Sequence, residues 1–492
     1  MRPRVLLVSL PYVVKGIDSN RPKIRSYHAF PYGLLSMATY NKDYADIKII
    51  DCDAEDNYMA SILRALQEFK PDIVGMSMMF DTSYKYLSVI LEMIKESYPH
   101  MLTLLGGAAA SYSYEEILSE QKNLDAVCYS EGELPLRYLL KLGYSFDQWN
   151  LTHPAWITRE KLRNGVAPKI AFIENLDEVI DIDYSLVDPN DYDMQEAFSP
   201  FVDHGKHKQF FLVTSRGCPF SCAFCSNGKI HGKRMRMASV DAIIDHVQRL
   251  VHERGMDVLI LYDDQLLINM PRAKVLIKRL AEFNLRIEAP NGLSVRYLDE
   301  EMAGLMRRAG MDTAYLAIES GSNYVLKELI NKPLELSQVK PAVKALRQND
   351  FFVHGFFVCG MPRETDVHRL QTRRFIEDID LDWNGLNMAC PVRGSRLYDD
   401  CINNGWIKKQ KIEDIVDKKY IIHVPGTDPE KIEADVYQMN LDVNFHNNRR
   451  MRTGDYETAK RCFEEVIKRY SGHEVAKHYI KVCEEKIKCV TN

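Results

Sequence analysis

Short apolar runs alternate with segments of helical periodicity along most of this chain, and this alternation is the feature that most constrains its fold. Five such runs precede residue 135, and the intervening segments carry apolar residues at three- and four-residue spacing, as in MASILRALQEFK. Strands that are buried on both faces and separated by helices form parallel sheets, so the pattern predicts a doubly wound, Rossmann-like α/β domain. The predicted strands are Arg4–Leu10, Asp46–Asp51, Asp72–Phe80, Met101–Gly107 and Leu124–Glu133.

The ends of the last three of these strands are candidate ligand contacts. Ser77 lies in the third strand, GGAAAS (Gly106–Ser111) follows the fourth and SEGE (Ser130–Glu133) follows the fifth. Ligands of doubly wound sheets bind beyond the carboxyl ends of the strands, and small residues there let a flat ligand or a phosphate approach the backbone. The alternative is a tight turn with no ligand. Because no G-x-G-x-x-G sequence is present, a nicotinamide cofactor is not indicated.

The alternation restarts after an acidic segment that contains Pro189, and it continues through six further strand-helix units. Six such units predict a partial parallel barrel, in which chemistry gathers at the carboxyl ends of the strands. The predicted strands lie in Lys208–Cys218, Asp257–Leu267, Leu285–Leu298, Thr313–Ser322, Phe351–Thr365 and Leu381–Tyr398. The side chains and backbone expected near these ends are Cys218, Asp263, Asp264, Glu319 and Gly360.

Three cysteines with C-x3-C-x2-C spacing, Cys218, Cys222 and Cys225, follow the first barrel strand. A structural zinc site needs four ligands, and His231, six residues past the last cysteine, would complete a Cys3His set with spacing that is poor for a finger or ribbon. Three thiolates on one tight loop suit a 4Fe-4S cluster that leaves one iron open. The spacing therefore favours the cluster, with zinc as the alternative.

Length and composition bound the remaining possibilities. A chain of 492 residues exceeds the roughly 250–300 residues of a single core, so several domains are expected. The net charge of -5 does not favour nucleic-acid binding. No apolar run reaches the roughly 20 residues of a membrane helix. An odd, scattered set of 11 cysteines favours the reducing cytoplasm.

These observations predict four segments. Residues 1–145 form the Rossmann-like domain, 146–205 a linker, 206–425 the partial barrel and 426–492 a small helical domain. Within the last segment, apolar residues at three- and four-residue spacing indicate a tetratricopeptide-like helix pair. We expect this pair to pack on the barrel, where it would close a substrate cavity or bind a partner.

The cysteine motif, CPFSCAFC, resembles that of the radical S-adenosylmethionine (SAM) superfamily, including the aromatic residue before the third cysteine. The preceding domain resembles the cobalamin-binding domain of the cobalamin-dependent subfamily. Further stretches that resemble this subfamily are YDDQ, NGLSVR, IESGS, GMPRET and PVRGSRLY. The resemblance thus extends over most of the chain.

The resemblance implies a role for each matching position. The three cysteines would hold the cluster, and the open iron would bind the amino and carboxylate groups of SAM. Phe224 would lie beside the adenine, Asp263 or Asp264 would meet the amino group, and Glu319 would reach the ribose. The positions assigned to SAM are Phe224, Asp263, Asp264, Arg296, Glu319 and Gly360. Those assigned to cobalamin are Ser77, Gly106, Gly107, Ala108, Glu131, Gly132 and Glu133.

One feature departs from the subfamily pattern. Many cobalamin proteins supply an axial histidine from a D-x-H-x-x-G motif, whereas LPYVVKGID and DCDAED, the matching loops, contain no histidine. His28 lies in the first long loop without this motif around it. The lower face of the cobalt is therefore expected to be covered by Met78, Met79 or Phe80, or to be left open.

The resemblance implies an enzyme that cleaves SAM reductively to methionine and a 5'-deoxyadenosyl radical. With cobalamin as methyl donor, it would methylate an unactivated carbon of a small-molecule substrate, using electrons from a donor such as flavodoxin or ferredoxin. A non-methylating rearrangement, cyclisation or oxidation is the second hypothesis. A methylthiotransferase is disfavoured, because only Cys52 and Cys128 precede Cys218. A non-catalytic zinc- or cobalamin-binding protein is the alternative of another class.

Replacement of one motif cysteine tests the cluster hypothesis. Cys222→Ala is expected to abolish 5'-deoxyadenosine formation, because the cluster would lose a ligand, while any bound cobalamin is retained. The measurements are chromatography of the nucleoside product and the absorption spectrum of the protein after anaerobic reconstitution. Bound zinc and no SAM cleavage in the unmodified protein would contradict the hypothesis.

Overall fold

The computed structural model describes residues 2–12, 29–142, 144–145, 148–149, 151–192, 200, 207–408, 411–412 and 420–491. These residues form a six-stranded sheet, a second group of parallel strands and a set of C-terminal helices. Within the described ranges, no helix combines the length and apolar character needed to cross a membrane.

The N-terminal sheet has the strand order β2-β1-β3-β4-β5-β8 and is parallel except for β8. Its five parallel strands occupy the five predicted positions. The strands are β1 (Arg4–Ser9), β2 (Asp46–Asp51), β3 (Ile73–Ser77), β4 (Leu102–Gly106) and β5 (Ala126–Cys128). The helices are α1 (Tyr32–Asn41), α2 (Tyr58–Glu68), α3 (Tyr84–Ser97), α4 (Ala108–Glu120) and α5 (Glu133–Leu142).

Burial on both faces explains the apolar character of these strands. In β1, Leu7 packs into the core that is continuous with the second domain, whereas the adjacent Leu6 packs into the core on the opposite face. The parallel register places Ser9 beside Ser77 and Ser77 beside Gly106. The carboxyl ends of β1, β3 and β4 therefore form one edge.

Part of the segment predicted as a linker completes this sheet. Strand β8 (Trp156–Ile157) lies in this segment. It follows two short strands, β6 (Tyr144–Ser145) and β7 (Gln148–Trp149), and precedes helix α6 (Arg159–Arg163). Strand β8 pairs antiparallel with β5, and the buried indole of Trp156 donates to the Pro135 carbonyl over 3.3 Å. Spacing alone did not reveal this edge strand, because two residues carry no periodicity.

The second domain contains the predicted partial barrel. Strands β9, β12 and β13 form one parallel sheet and β14, β15 and β16 another, and a parallel bridge between Leu293 and Leu316 joins them. Its strands are β9 (Gln209–Leu212), β10 (Ser215–Arg216), β11 (Arg236–Met237), β12 (Val258–Leu261), β13 (Arg286–Glu288), β14 (Thr313–Glu319), β15 (Phe352–Cys359) and β16 (Trp383–Met388). Its helices are α7 (Val240–Arg254), α8 (Met270–Leu280), α9 (Glu300–Arg308), α10 (Val339–Gln348), α11 (Asp366–Ile379) and α12 (Arg396–Asn403).

The last C-terminal helices pack on the barrel at the amino ends of β15 and β16, whereas Ile432, in the helix before them, packs in the same apolar cluster as Cys222 and Phe224. Phe352 and Trp383, the first residues of β15 and β16, pack against Phe445 and Phe463. The expected packing of the helix pair on the barrel is therefore observed. Closure of a substrate cavity by this pair stays a prediction. The helices are α13 (Pro429–Leu441), α14 (Arg449–Arg452), α15 (Tyr456–Arg469) and α16 (Glu474–Thr491).

A buried carboxylate anchors these helices. Asp382 is fully buried, accepts from the Val353 amide at 2.8 Å, and pairs with Arg449 at 2.8 Å and Arg450 at 2.6 Å. Loss of one partner of a buried ion pair leaves uncompensated charge, which costs more than an exposed pair contributes.

We therefore expect Asp382→Ala to lower the free energy of unfolding by about 3–5 kcal/mol. The matched control is Asp378→Ala, at an exposed pair with Lys340, which should cost only about 0–1 kcal/mol. Urea-induced unfolding followed by circular dichroism measures both values. Equal losses in the two variants would contradict the anchoring role of Asp382.

Candidate active site

The three cysteines lie on a loop whose ends pair as a short hairpin. Strands β10 and β11 flank this loop and are antiparallel, with Arg216 opposite Arg236. Gly217 has a φ of +95°, and a Cβ there would lie 2.4 Å from the Arg234 carbonyl oxygen, so only glycine fits. The Cys218 amide donates to the Gly232 carbonyl at 3.1 Å. The hairpin thus holds the loop in one conformation.

Burial raises the pKa of all three thiols, that of Cys222 to about 12. Bound iron would compensate, since coordination deprotonates a thiol. His231, the fourth ligand in the zinc alternative, directs Nδ1 to a Glu131 carboxylate oxygen at 2.8 Å. No group of three or more His, Cys, Asp or Glu residues in the described ranges could hold a single metal ion. In a cluster each cysteine binds a different iron, and the three cysteines on this loop supply the thiolates that such a cluster needs.

The structure separates the two adjacent aspartates. Asp263 is buried, and it accepts from the Thr214 amide at 3.1 Å and the Thr214 hydroxyl at 2.8 Å. Asp264 lines the interdomain cavity, where burial raises the pKa of its carboxyl group against the opposing effects of His231 and Asn227. Of the two candidates for the SAM amino group, Asp264 is therefore the one directed to open space.

Glu319 and Gly360 end adjacent strands near the cysteines. Glu319 has a φ of +71° at the end of β14 and pairs with Lys332 at 2.8 Å. The Gly360 amide donates to Glu364, whose pKa burial raises to about 7. The Gly360 carbonyl accepts from the Tyr420 hydroxyl at 2.7 Å. Both predicted positions are thus held in defined conformations, and neither lines the interdomain cavity.

Phe224 and Arg296 have different surroundings. Phe224 lines the interdomain cavity beside Cys225. Arg296 is exposed, stacks near the Tyr297 ring at 5.3 Å and does not line this cavity. The assignment of Arg296 to SAM stays a prediction that these contacts do not favour.

A cavity of about 730 Å³ lies between the N-terminal sheet edge and the cysteine loop. Its volume is within the range of cofactor and small-molecule sites. All seven positions predicted for cobalamin line it, together with the cysteine-loop residues Phe224 and Cys225 and the barrel residue Asp264. The predicted cobalamin positions are Ser77, Gly106, Gly107, Ala108, Glu131, Gly132 and Glu133.

The shape of the sheet edge fits a large flat group. Gly107 has a φ of +99°, and a Cβ there would lie 2.5 Å from the Met78 carbonyl oxygen. Backbone at Gly106 and Gly107 therefore faces the cavity without a side chain. Apolar side chains dominate the lining, as a planar macrocycle requires. The residues present are thus compatible with cobalamin.

Of the three side chains proposed for the lower face of the cobalt, two reach the cavity. Met79 and Phe80 line it and are about half exposed, whereas Met78 is fully buried. His28 lies outside the described residues. His231 is the one histidine among the described lining residues, and it contacts Glu131.

A buried interdomain ion-pair network, defined as Glu131, Glu133, Arg216, Arg236 and His231, was missed from the sequence. Arg236 pairs with both Glu131 oxygens at 2.6 and 2.9 Å, and Arg216 pairs with Glu133 at 2.9 Å and Glu131 at 3.2 Å. The carboxylates assigned to cobalamin are thus already engaged by the cysteine hairpin. Arg216, two positions before the first cysteine, was the available sequence signal, but no neighbouring residue indicated which carboxylates it would contact.

These charges set the protonation of Glu131. Burial by itself would raise the pKa of its carboxyl group, but Arg216, His231 and Arg236 outweigh that effect and lower it to about 2. Glu131 therefore remains ionised at neutral pH.

Comparisons with known proteins agree with this architecture. Residues 212–376 match the radical SAM superfamily and residues 25–140 match the B12 binding domain. The chain is 29% identical over 468 residues to the cytidylyl-2-hydroxyethylphosphonate methyltransferase of Streptomyces wedmorensis. This alignment covers 85% of this chain and 87% of the relative. It is 30% identical over 397 residues to an uncharacterized methyltransferase of Pyrococcus horikoshii, covering 79% of this chain and 83% of the relative.

The fold also resembles that of the radical SAM methyltransferase TsrM from Kitasatospora setae. The TM-score is 0.65 at 14% identity, with 89% of this chain and 88% of that chain covered. The two domains together define a radical SAM enzyme with a B12-binding domain. The chain belongs to the cobalamin-dependent radical SAM methyltransferases. The predicted fold class, enzyme class and three cofactors (a 4Fe-4S cluster, SAM and cobalamin) are confirmed.

The depressed pKa of Glu131 predicts an acid dependence of stability. Its ionised form stabilises the folded protein above the ordinary pKa of about 4.5, and this contribution, about 3 kcal/mol, is lost as the pH falls toward 2. Glu131→Gln should be less stable at pH 7 and should lose less stability between pH 4.5 and 2. Urea unfolding across this range measures the effect.

The matched control is Glu301→Gln, at an exposed pair with Lys274. It should keep the acid profile of the unmodified protein. An unchanged acid profile in Glu131→Gln would show that the interdomain network is not held by this carboxylate.

Proposed function

We propose that this enzyme methylates an unactivated carbon of a small-molecule substrate inside the interdomain cavity. The observation that supports this most directly is the common lining of that cavity. The seven positions assigned to cobalamin line the same space as Phe224, Cys225 and Asp264. A methyl donor on the sheet edge and a radical source on the cysteine loop would then both reach one substrate.

The cysteine loop and the barrel strand ends would bind the cluster and SAM. In this proposal Cys218, Cys222 and Cys225 hold the cluster, and Asp264 accepts a hydrogen bond from the SAM ammonium group. Phe224 packs beside the adenine, and Glu319 accepts from the ribose hydroxyls. The mostly apolar lining of the cavity would limit the access of water to the reacting carbon.

The sheet edge would hold cobalamin. Backbone at Gly106, Gly107 and Ala108 allows close approach of the macrocycle, while Met79 and Phe80 supply apolar side chains to its lower face. When bound, the cluster with SAM supplies a radical that activates a C–H bond, and cobalamin supplies the methyl group. The protein contributes orientation of the two cofactors and exclusion of water.

An external donor such as flavodoxin or ferredoxin would supply the electron, and a cytoplasmic location is part of this proposal. One side of the cysteine loop supports access for a donor, because Ser221 and Lys233 are exposed there, with the ammonium 2.9 Å from the hydroxyl. The odd, scattered set of 11 cysteines is typical of a reducing compartment.

Labelled SAM distinguishes methyl transfer from other radical chemistry. The anaerobically reconstituted enzyme, with cobalamin and a low-potential reductant, is incubated with SAM carrying a deuterated methyl group and a metabolite extract. The expected product gains a labelled methyl group on carbon, and both S-adenosylhomocysteine and 5'-deoxyadenosine accumulate. An altered product without the label would instead support rearrangement, cyclisation or oxidation.

A glycine variant tests the cobalamin position. A Cβ at residue 106 would meet the Cys128 Cβ at an ordinary 3.7 Å, so Gly106→Ala should fold normally. Because Gly106 and Cys128 both line the cavity, the added methyl group is expected to narrow the surface assigned to the macrocycle. Cobalamin should then bind at least about tenfold more weakly, or about 1.4 kcal/mol. Equilibrium binding followed by absorption spectroscopy measures the affinity.

The control is Gly472→Ala, whose Cβ would meet nothing within 4 Å and which lies in the turn between α15 and α16. It should bind cobalamin as the unmodified protein does. Unchanged affinity in Gly106→Ala would place cobalamin elsewhere.

A further inference from the structure

A buried ion pair lies beside the cysteine loop, and its lysine, Lys332, has no role in the assignments above. Lys332 and Glu319 are 2.8 Å apart, and their side chains are only 13% and 11% exposed. An ion pair this deep costs desolvation free energy that its Coulomb attraction repays only partly. Because the pair lies next to the predicted cluster, the lysine is close enough to have an electrostatic effect on that cluster.

Hydrogen bonds hold the turn that carries Lys332 against the cysteine loop. The Ala223 amide donates to the Ile330 carbonyl at 2.7 Å, and the Asn331 side-chain amide donates to the Ser221 carbonyl at 3.3 Å. The Lys332 amide in turn donates to the Leu326 carbonyl at 2.8 Å, at the end of a π-helix (Val325–Ile330). The residues on both sides of Cys222 are therefore held by the turn that carries Lys332.

Negative charge accumulates around this turn when the cluster is bound. The three thiolates of a bound cluster and the paired Glu319 carboxylate all carry negative charge. Lys332 opposes this charge, because its ammonium pairs with Glu319 and its backbone belongs to the turn that holds Ser221 and Ala223, the two neighbours of Cys222. A fixed cation thus lies beside the ligands of the cluster.

The charge of the cluster changes during its reduction. A 4Fe-4S cluster with three thiolates gains one electron from the external reductant, no bond forms or breaks, and its net charge becomes more negative by one. A nearby fixed cation stabilises the more negative state, and the charge environment is one of the factors that set the potential of such clusters.

We propose that Lys332 is a positioning residue that raises the reduction potential of the cluster and thereby makes its reduction by a biological donor easier. The inference rests on the proposed cluster at the three cysteines. It requires neither cobalamin nor methyl transfer, so it is tested without either.

The potential of the cluster is measured directly. The reconstituted enzyme, without SAM, substrate or cobalamin, is titrated with dithionite in the presence of redox mediators, and the reduced cluster is followed by electron paramagnetic resonance. Lys332→Met should lower the ratio of reduced to oxidised cluster at least tenfold at a fixed potential, which corresponds to about 59 mV for one electron. Lys332→Arg should titrate close to the unmodified enzyme, because the charge is kept.

A charge control comes from the same π-helix. Lys327 is 53% exposed and pairs with Glu335 at 3.0 Å. Lys327→Met therefore removes one positive charge, as Lys332→Met does, but from a solvent-exposed position. Its potential should equal that of the unmodified enzyme. A shift in Lys327→Met as large as that in Lys332→Met would overturn the proposal, since the effect would then be one of net charge alone.

A second variant keeps the test decisive if Lys332→Met fails to assemble a cluster. Glu319→Gln leaves the Lys332 ammonium without its counter-charge, and its potential should rise. A rise supports the proposal, and an unchanged potential in a variant with full iron content overturns it. Failure of the unmodified enzyme to bind about four irons would instead refute the proposed function.

Discussion

The interdomain ion-pair network is the interaction on which the site depends. Arg216 and Arg236 flank the cysteine loop as cross-strand partners, and both reach Glu131 of the other domain. Loss of the partner of a buried charge destabilises a protein by about 3–5 kcal/mol. Few other orientations of the two domains would therefore keep both arginines paired with carboxylates. The Tyr112 hydroxyl, which donates to the Ser226 carbonyl at 3.0 Å, and the Ser130 hydroxyl, which donates to Ile230, add further contacts between the loop and the sheet edge. The network therefore sets the spacing between the two halves of the cavity.

The cysteine loop is held from both sides, by different kinds of contact. Toward the N-terminal sheet it is fixed mainly by the ion pairs of Arg216 and Arg236, whereas toward the barrel it is fixed by the turn at Ile330–Lys332. The first side determines where the loop lies relative to the sheet edge. The second determines the electrostatic environment of the thiols. Orientation and potential can thus be altered separately, by changes at Glu131 and at Lys332.

Local sequence patterns were enough to predict most of the fold and part of the candidate site. The strands of both domains were predictable because a buried parallel strand can be recognised from its own apolar residues, without knowing which strands lie beside it. The strand-end glycines were predictable for the same reason. Two outcomes were not: Asp264 rather than Asp263 faces the cavity, and Glu131 and Glu133 engage arginines of the hairpin. Adjacent strand residues point to opposite faces, and which face is open depends on what packs there. The C-terminal helices likewise showed their periodicity in the sequence but not the end of the barrel on which they pack.

The sequence by itself determined the two α/β domains, the three cysteines on one loop and the small residues at the sheet edge, because each is a property of a few neighbouring residues. The tertiary structure decided that these parts line one cavity. It also decided which carboxylates meet Arg216 and Arg236, and that Lys332 lies beside Cys222, which is 110 residues away in the chain. Such pairings join distant segments, and their energies depend on burial and charge compensation that exist only after the domains pack.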